Sequence, residues 1–313
     1  MTLPLAPIST EASLNGQTHP VLIYLARLSP GSRRTLYEAL ELLARWSSHS
    51  QLGAMEFPWW ELRYPHTAAL RSRLAAQYAP ATVNKQLAAL RGVLRECWRL
   101  GLLSAEEYHR TIDIPTVKGQ RLLRGRVLSQ QEINTLFTIC EQENSPAGCR
   151  DAALLGLLAG SGLRRAEVVA LQVQDYDPTE NRLRVRAGKG NKDRLVYVAP
   201  GADVRLERWL SLRGTQPGAL LCPVNRWGQV VMRSLTEQAV LHILTKRGQQ
   251  ARIAAFSPHD LRRTFISNLL DAGVDIATVQ KLAGHANVQT TVRYDRRDER
   301  AKQAAVARLR IQG

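Results

Sequence analysis

Apolar positions along the chain keep a helical rhythm in its first third and a mixed one afterwards. Over residues 32–102 they recur every three or four positions, the spacing that gathers side chains on one face of an α-helix. Leu36, Leu40, Leu43 and Trp46 form one such stripe. Val83, Leu87, Leu90, Val93, Leu94 and Trp98 form a second, over residues 81–100. The pattern predicts a helical domain over 19–112, preceded by a small-residue and polar stretch, 1–18, expected to be a flexible arm. The rhythm then breaks. Pro115, Gly119 and Gly125 stand among Lys118, Arg121, Arg124 and Arg126, so 113–127 reads as a basic linker between two domains.

Beyond the linker, Ser129 and Glu132 have the spacing of a capping box that opens a helix over about 130–141. A second helix is expected over 150–160. It contains the longest apolar run, 152–159, which is far short of the ~20 residues that cross a bilayer. Gly160-Ser161-Gly162 makes a turn, with another helix starting near Arg164. Residues 182–186 and 194–198 alternate with period two around a Gly-rich stretch, the pattern of a β-hairpin. Ser257 followed by Pro258 reads as an N-cap and first helical position. Ala301, Ala304, Ala305, Val306 and Leu309 space an apolar stripe over 299–311. No internal repeat is present. The expected fold is mainly α with a small β-sheet (α+β), the mixed second domain covering 128–313.

Charge narrows the field of partners. The 313 residues carry 43 Lys and Arg against 27 Asp and Glu, a formal net charge of +16. Such an excess concentrates polyanions at the surface, and nucleic acid is the commonest of them. No basic start followed by an apolar block suggests a secretory leader, and no stretch suits a membrane. The four cysteines lack the paired spacing of a zinc site or disulfide framework, so free buried thiols in a reducing cytoplasm are expected. Arg71, Arg73, Lys85, Arg91, Arg95 and Arg99 crowd the helical half; a solvated helix face and phosphate contact both account for them.

Several short patterns carry residues capable of chemistry. Arg164 opens a helix beside free backbone donors, and Glu167, one turn on, is placed to brace it, although a surface ion pair would look the same. Lys189 lies between two glycines at the hairpin tip, where a solvated lysine is the ordinary finding. His259 and Arg262 share a helix face. His285 follows Gly284, a candidate helix C-terminus, and Tyr294 comes nine residues later. Any one of these alone would pass as a packing or surface residue.

In order, however, the runs Ser161-Gly162-Leu163-Arg164-Arg165-Ala166-Glu167, Gly188-Lys189-Gly190, His259-Asp260-Leu261-Arg262 and Leu282-Ala283-Gly284-His285, with Tyr294 after them, resemble the signature boxes of the tyrosine recombinase (phage-type integrase) family, in particular its Xer-like site-specific recombinases. The resemblance spans roughly residues 20–300. Arg165 stands where a small or apolar residue is common, and Arg263 where a histidine is frequent. The resemblance implies a helical core-binding domain and a catalytic domain that close on duplex DNA as a clamp. It implies that Arg164, Arg262 and His285 hold the scissile phosphate and that Tyr294 attacks it to leave a 3′-phosphotyrosyl link. His259 would be base or orienting partner, Lys189 the general acid, and Glu167 a support. Strands would be exchanged through a Holliday junction by a homotetramer on paired specific sites. The 299–311 segment would pass between subunits, although a helix folded on its own domain has the same pattern. Neither metal nor cofactor is required, and neither a Walker-type loop nor a carboxylate cluster is visible.

Two other functions share parts of this pattern: a type IB topoisomerase-like relaxing enzyme, and a non-cleaving DNA-binding regulator on the same scaffold. An all-helical N-terminal domain disfavours the first, and a complete set of reactive side chains the second. A cytoplasmic, nucleoid-associated setting is expected. Lack of a long extra arm-binding domain leans toward a chromosome- or transposon-resolving role, while the target sequence is not readable from the chain.

Overall fold

The computed structural model describes residues 19–119, 125–186, 193–292 and 294. The expected arm (1–18), the hairpin tip with Lys189, and the 299–311 helix lie outside the described residues. The chain divides into two compact units, residues 1–123 and 124–313.

The first unit is helical: α1 (Pro20–Ala26), α2 (Pro30–Ser47), α3 (Tyr64–Gln77), α4 (Pro80–Arg99) and α5 (Ala105–Ile112). Proline in the first turn of α1 to α4 supplies a preset φ where no intrahelical N–H is needed. The two stripes meet in one core, where Leu40, Leu43, Leu87, Leu90 and Leu94 are fully buried. Each such leucine contributes about 1.5–3 kcal/mol by leaving water. The expected continuous helical rhythm fails over 48–63. His49 and Ser50 adopt positive φ and end α2, and the following segment tucks Phe57 and Trp59 inward. Its backbone is tied by Ala54 N–H donating to Glu41 and by the Trp59 indole donating to the Ala54 carbonyl, both at 2.9 Å. Trp98, expected in the core, is 39% exposed and stacks on Tyr108 instead.

The arginines of this unit do more than face solvent. Arg71 donates to the Pro115 carbonyl at 2.7 Å and Arg91 to that of Ile114, pinning the chain as it leaves α5. Asn84 exchanges hydrogen bonds with Val117. Arg73 lies over the Trp46 ring and Arg95 reaches the Tyr108 hydroxyl at 3.3 Å. Arg73, Lys85 and Arg95 remain exposed.

The second unit follows with α6 (Gln130–Gln142), α7 (Pro146–Gly160), α8 (Arg165–Ala170), strands β1 (Tyr176–Asp177), β2 (Arg182–Val185) and β3 (Arg194–Tyr197), α9 (Ala202–Arg213), α10 (Glu237–Gln250), α11 (Pro258–Asp271), α12 (Ile276–Ala283) and α13 (Val288–Val292). The run 152–159 lies in α7, a helix apolar on nearly every side and therefore central. Gly156 and Gly160 let α9 come close: a Cβ on either would stand 3.0–3.2 Å from Ala202. Charges are buried here as a network, with Arg247 fully enclosed between Asp151, at 2.6 Å, and Glu143. The three strands form an antiparallel sheet in the order β1-β2-β3, with Leu183 opposite Val196 and Val185 opposite Arg194. All four cysteines are free and buried. Among the described residues no helix is long and apolar enough to cross a membrane.

Candidate active site

Four separate pieces of the second unit bring the expected residues together. Ser145 caps the start of α7, and that helix runs to Gly160. Gly162 then takes φ +61°, turning the chain so that Arg164 caps α8 in extended conformation. A side chain at Gly162 would strike the Phe265 ring. Ser257 and Asp260 form a capping box at the start of α11, which fixes where His259 and Arg262 project. Gly284, in left-handed conformation at φ +62°, closes α12 and hands the chain to His285. Tyr294 sits in a turn after α13, its N–H donating to the Thr291 carbonyl.

The Tyr294 hydroxyl lies 3.1 Å from His259 Nε2. The His285 ring is stacked on the tyrosine at 5.9 Å between centroids, with its Nδ1 2.9 Å from the Thr291 hydroxyl. Arg263 stands over the tyrosine ring at 5.2 Å, a cation–π distance. The two expected phosphate-binding arginines also tie the segments together. Arg262 donates to the carbonyls of Gly162 and Ala283, and Arg164 to that of Gly284 at 2.7 Å.

Glu167 is the hinge of the arrangement. It accepts from the Arg164 backbone N–H at 2.8 Å and from the Arg164 guanidinium at 2.7 Å. Arg194 adds a two-pronged contact, Nη1 and Nη2 meeting the two carboxylate oxygens at 2.8 and 2.7 Å. Burial alone would raise this carboxyl, but the arginine donors and charges prevail and hold it at about 2. Arg262 is lowered to about 10 by burial and by the nearby Arg164 charge, and keeps its proton at neutral pH. Burial and the surrounding arginines push His285 down to about 4; burial, Arg262 and Arg263 also lower His259. Both imidazoles are thus neutral at pH 7, one able to accept and one to donate within a strongly cationic surround.

The structure therefore gathers Arg164, Glu167, His259, Arg262, His285 and Tyr294 in one place. Lys189 lies outside the described residues. Arg71, Arg73, Lys85, Arg91 and Arg95 belong to the other unit. Three contributors escaped the sequence reading. Arg194 had its signal there, since strand alternation sets it on the same face as buried Val196, where a cation needs an anion. Arg263 stood out only as a departure from the family pattern. Thr291 carried no signal at all. Among the described residues, no group of three or more His, Cys, Asp or Glu is arranged to hold a metal ion.

Comparison with known proteins identifies the family. The Phage integrase family profile matches residues 126–300. Tyrosine recombinase XerD of Pseudomonas aeruginosa is 34% identical over 228 residues, covering 71% of this chain and 73% of that protein. Tyrosine recombinase XerC of Alcanivorax borkumensis is 32% identical over 283 residues, 87% and 85% of the two chains. Among solved structures, the Tn1549 transposon integrase in complex with transposon right end DNA has a TM-score of 0.68 at 13% identity, covering 93% of this chain and 99% of that one. The XerH site-specific recombinase bound to its palindromic difH substrate, in a post-cleavage complex, has a TM-score of 0.63 at 19% identity over 93% and 79%. These two likenesses extend the agreement to the fold. The chain belongs to the phage integrase family and is one of its tyrosine recombinases, enzymes of site-specific DNA recombination.

Proposed function

We propose that Tyr294 is the nucleophile that cleaves and rejoins a specific duplex DNA site in this protein. The observation that carries the reading is the placement of its hydroxyl against His259, inside a ring of cationic donors. Attack forms the Tyr294 Oη–phosphorus bond and breaks the bond from phosphorus to the 5′ oxygen, leaving a 3′-phosphotyrosyl link. The phenol proton passes to the neutral His259 imidazole, and Lys189 protonates the leaving 5′ oxygen. Charge that builds on the non-bridging oxygens falls to Arg164 and Arg262, already oriented by backbone carbonyls, and to His285, oriented by the Thr291 hydroxyl. Reversal with a 5′-hydroxyl from a second duplex transfers the strand, so the bond energy is kept in the phosphotyrosine.

The wider assembly follows the same reading. The protein acts on double-stranded DNA at the nucleoid, with both the helical unit and the catalytic unit contacting the duplex. Arg73, Lys85 and Arg95, exposed on the helical unit, meet phosphates. Four copies act on paired sites, linked through the 299–311 segment, and resolve a Holliday junction.

The test is a suicide duplex bearing a site selected from random sequence on the Tyr294→Phe protein. The wild type should form a denaturation-resistant protein–DNA adduct and Tyr294→Phe none, at equal affinity for the site. An adduct that persists in Tyr294→Phe would overturn the assignment.

A further inference from the structure

The Arg194 side chain is held more tightly than the first residue of a strand requires. It faces inward from β3 opposite Val185, is 15% exposed, and meets Glu167 with both terminal nitrogens. The Glu167 side chain is itself only 8% exposed. Fork-to-fork contacts of this kind fix orientation as well as charge, which a single-point cation cannot do.

Consider the cluster without Arg194. Glu167 and Arg164 would then form a closed pair of net zero charge, the carboxylate free to swing and take more of the Arg164 guanidinium. With Arg194 present the three groups carry a net positive charge, and both carboxylate oxygens are already occupied by a rigid partner. Arg164 is then held by one terminal nitrogen on Glu167 and one on the Gly284 carbonyl. Arg194 also lies flat against Gly284: a Cβ there would stand 2.7 Å from its Nε and 2.9 Å from its Cζ. The same guanidinium therefore braces the turn that presents His285.

We propose that Arg194 is a positioning residue for the recombinase reaction, fixing Glu167 and the Gly284 turn so that Arg164 and His285 receive the charge of the scissile phosphate. The inference rests on the reading of Arg164 as a phosphate-binding residue. It assigns to β3 a part in the chemistry beyond carrying the hairpin.

The experiment compares two suicide duplexes of the selected site, one with an ordinary scissile phosphate and one with a methylphosphonate, which has no charge there to balance. Single-turnover adduct formation is measured for full-length wild type, Arg194→Ala, Arg194→Lys, Arg194→Gln and Arg164→Ala. On the phosphodiester, Arg194→Ala should be on the order of 100-fold slower than wild type, about 2.7 kcal/mol of transition-state stabilisation. On the methylphosphonate the deficit should shrink to less than about tenfold, because the misplaced cations are no longer needed. Lysine, which keeps the charge but lacks the fork, should behave like alanine. The ratio of the two substrates is taken within one preparation, so a partly unfolded variant, or glutamine in place of alanine, still reads out. Equal losses on both substrates, or full activity in Arg194→Lys, would reduce Arg194 to scaffolding. If Arg164→Ala shows no change in the ratio, the phosphate role of Arg164 falls; if Arg164→Ala changes it and the Arg194 variants do not, only the role of Arg194 falls.

Discussion

His259 Nε2 and the Tyr294 hydroxyl, separated by 35 positions in the chain, stand 3.1 Å apart. Neither residue's local surroundings bring this about. α11 is fixed at its start by a serine–aspartate box, and Tyr294 hangs from Thr291 at the end of a separate segment. The approach places a neutral imidazole next to a hydroxyl that must lose its proton as it attacks.

His259→Ala should slow adduct formation at pH 7 by about 10²–10⁴-fold, the usual worth of a positioned base. The deficit should narrow as the pH is raised, since hydroxide then takes over proton removal. A rate-against-pH series on the suicide duplex decides it; a deficit constant across pH would make His259 an orienting group only.

Thr291→Val tests the support of His285. The substitution keeps the shape of a side chain that is fully buried but leaves His285 Nδ1 without its 2.9 Å partner. Loss of about 1–3 kcal/mol of orientation corresponds to cleavage roughly 5- to 150-fold slower. Thr291→Ser should recover most of it.

Acid should unfold the catalytic unit in two stages. His285 is held near 4 in the folded protein against about 6.5 when unfolded, so the unfolded chain takes up its proton first. The stability tied to neutral His285 is full above about 6.5 and is lost as the pH falls toward 4. Glu167, held near 2 in place of 4.5, contributes stability that is full above about 4.5 and is lost as the pH falls through 2. Thermal unfolding followed from pH 8 downward should show the melting temperature dropping on both ranges. His285→Gln should flatten the upper range alone, and Glu167→Gln the lower alone.

Gly162→Ala should destabilise by about 2 kcal/mol or more. A non-glycine residue at φ +61° costs about 1–2 kcal/mol, and its Cβ collides with Phe265. In a unit of this size that lowers the melting temperature by several degrees. Because the Gly162 carbonyl accepts from Arg262, cleavage should fall further than stability does.

Periodicity made the helices legible: the 130–141 expectation became Gln130–Gln142, and the alternating pair became β2 and β3 in antiparallel register. Caps were legible for the same reason, being local, as at Ser129, Ser257 and Gly284. The 48–63 stretch was not. No local pattern announces the break, since positive φ at His49 and Ser50 is a matter of how Phe57 and Trp59 find the core. In the site, each expected side chain was visible as a residue type, and the local Arg164–Glu167 brace could be read from spacing, whereas the long-range contacts could not. The link from Arg194 to Glu167 crosses 27 residues, and that from Arg262 to Gly162 crosses 100, distances over which sequence spacing has nothing to say. Arg263 differs from the family pattern, and only its position over Tyr294 gives that difference a physical meaning.

The bare α-carbon of Gly284 has a consequence for how this family can vary. The guanidinium of Arg194 occupies the space in which a side chain at position 284 would have to grow. A descendant of this protein that gains a side chain there must move or shorten residue 194 in the same lineage, and one that loses the arginine is released from that clash, leaving only the left-handed backbone at φ +62° to favour glycine. Positions 194 and 284, 90 residues apart in the gene product, are thereby bound to a shared history.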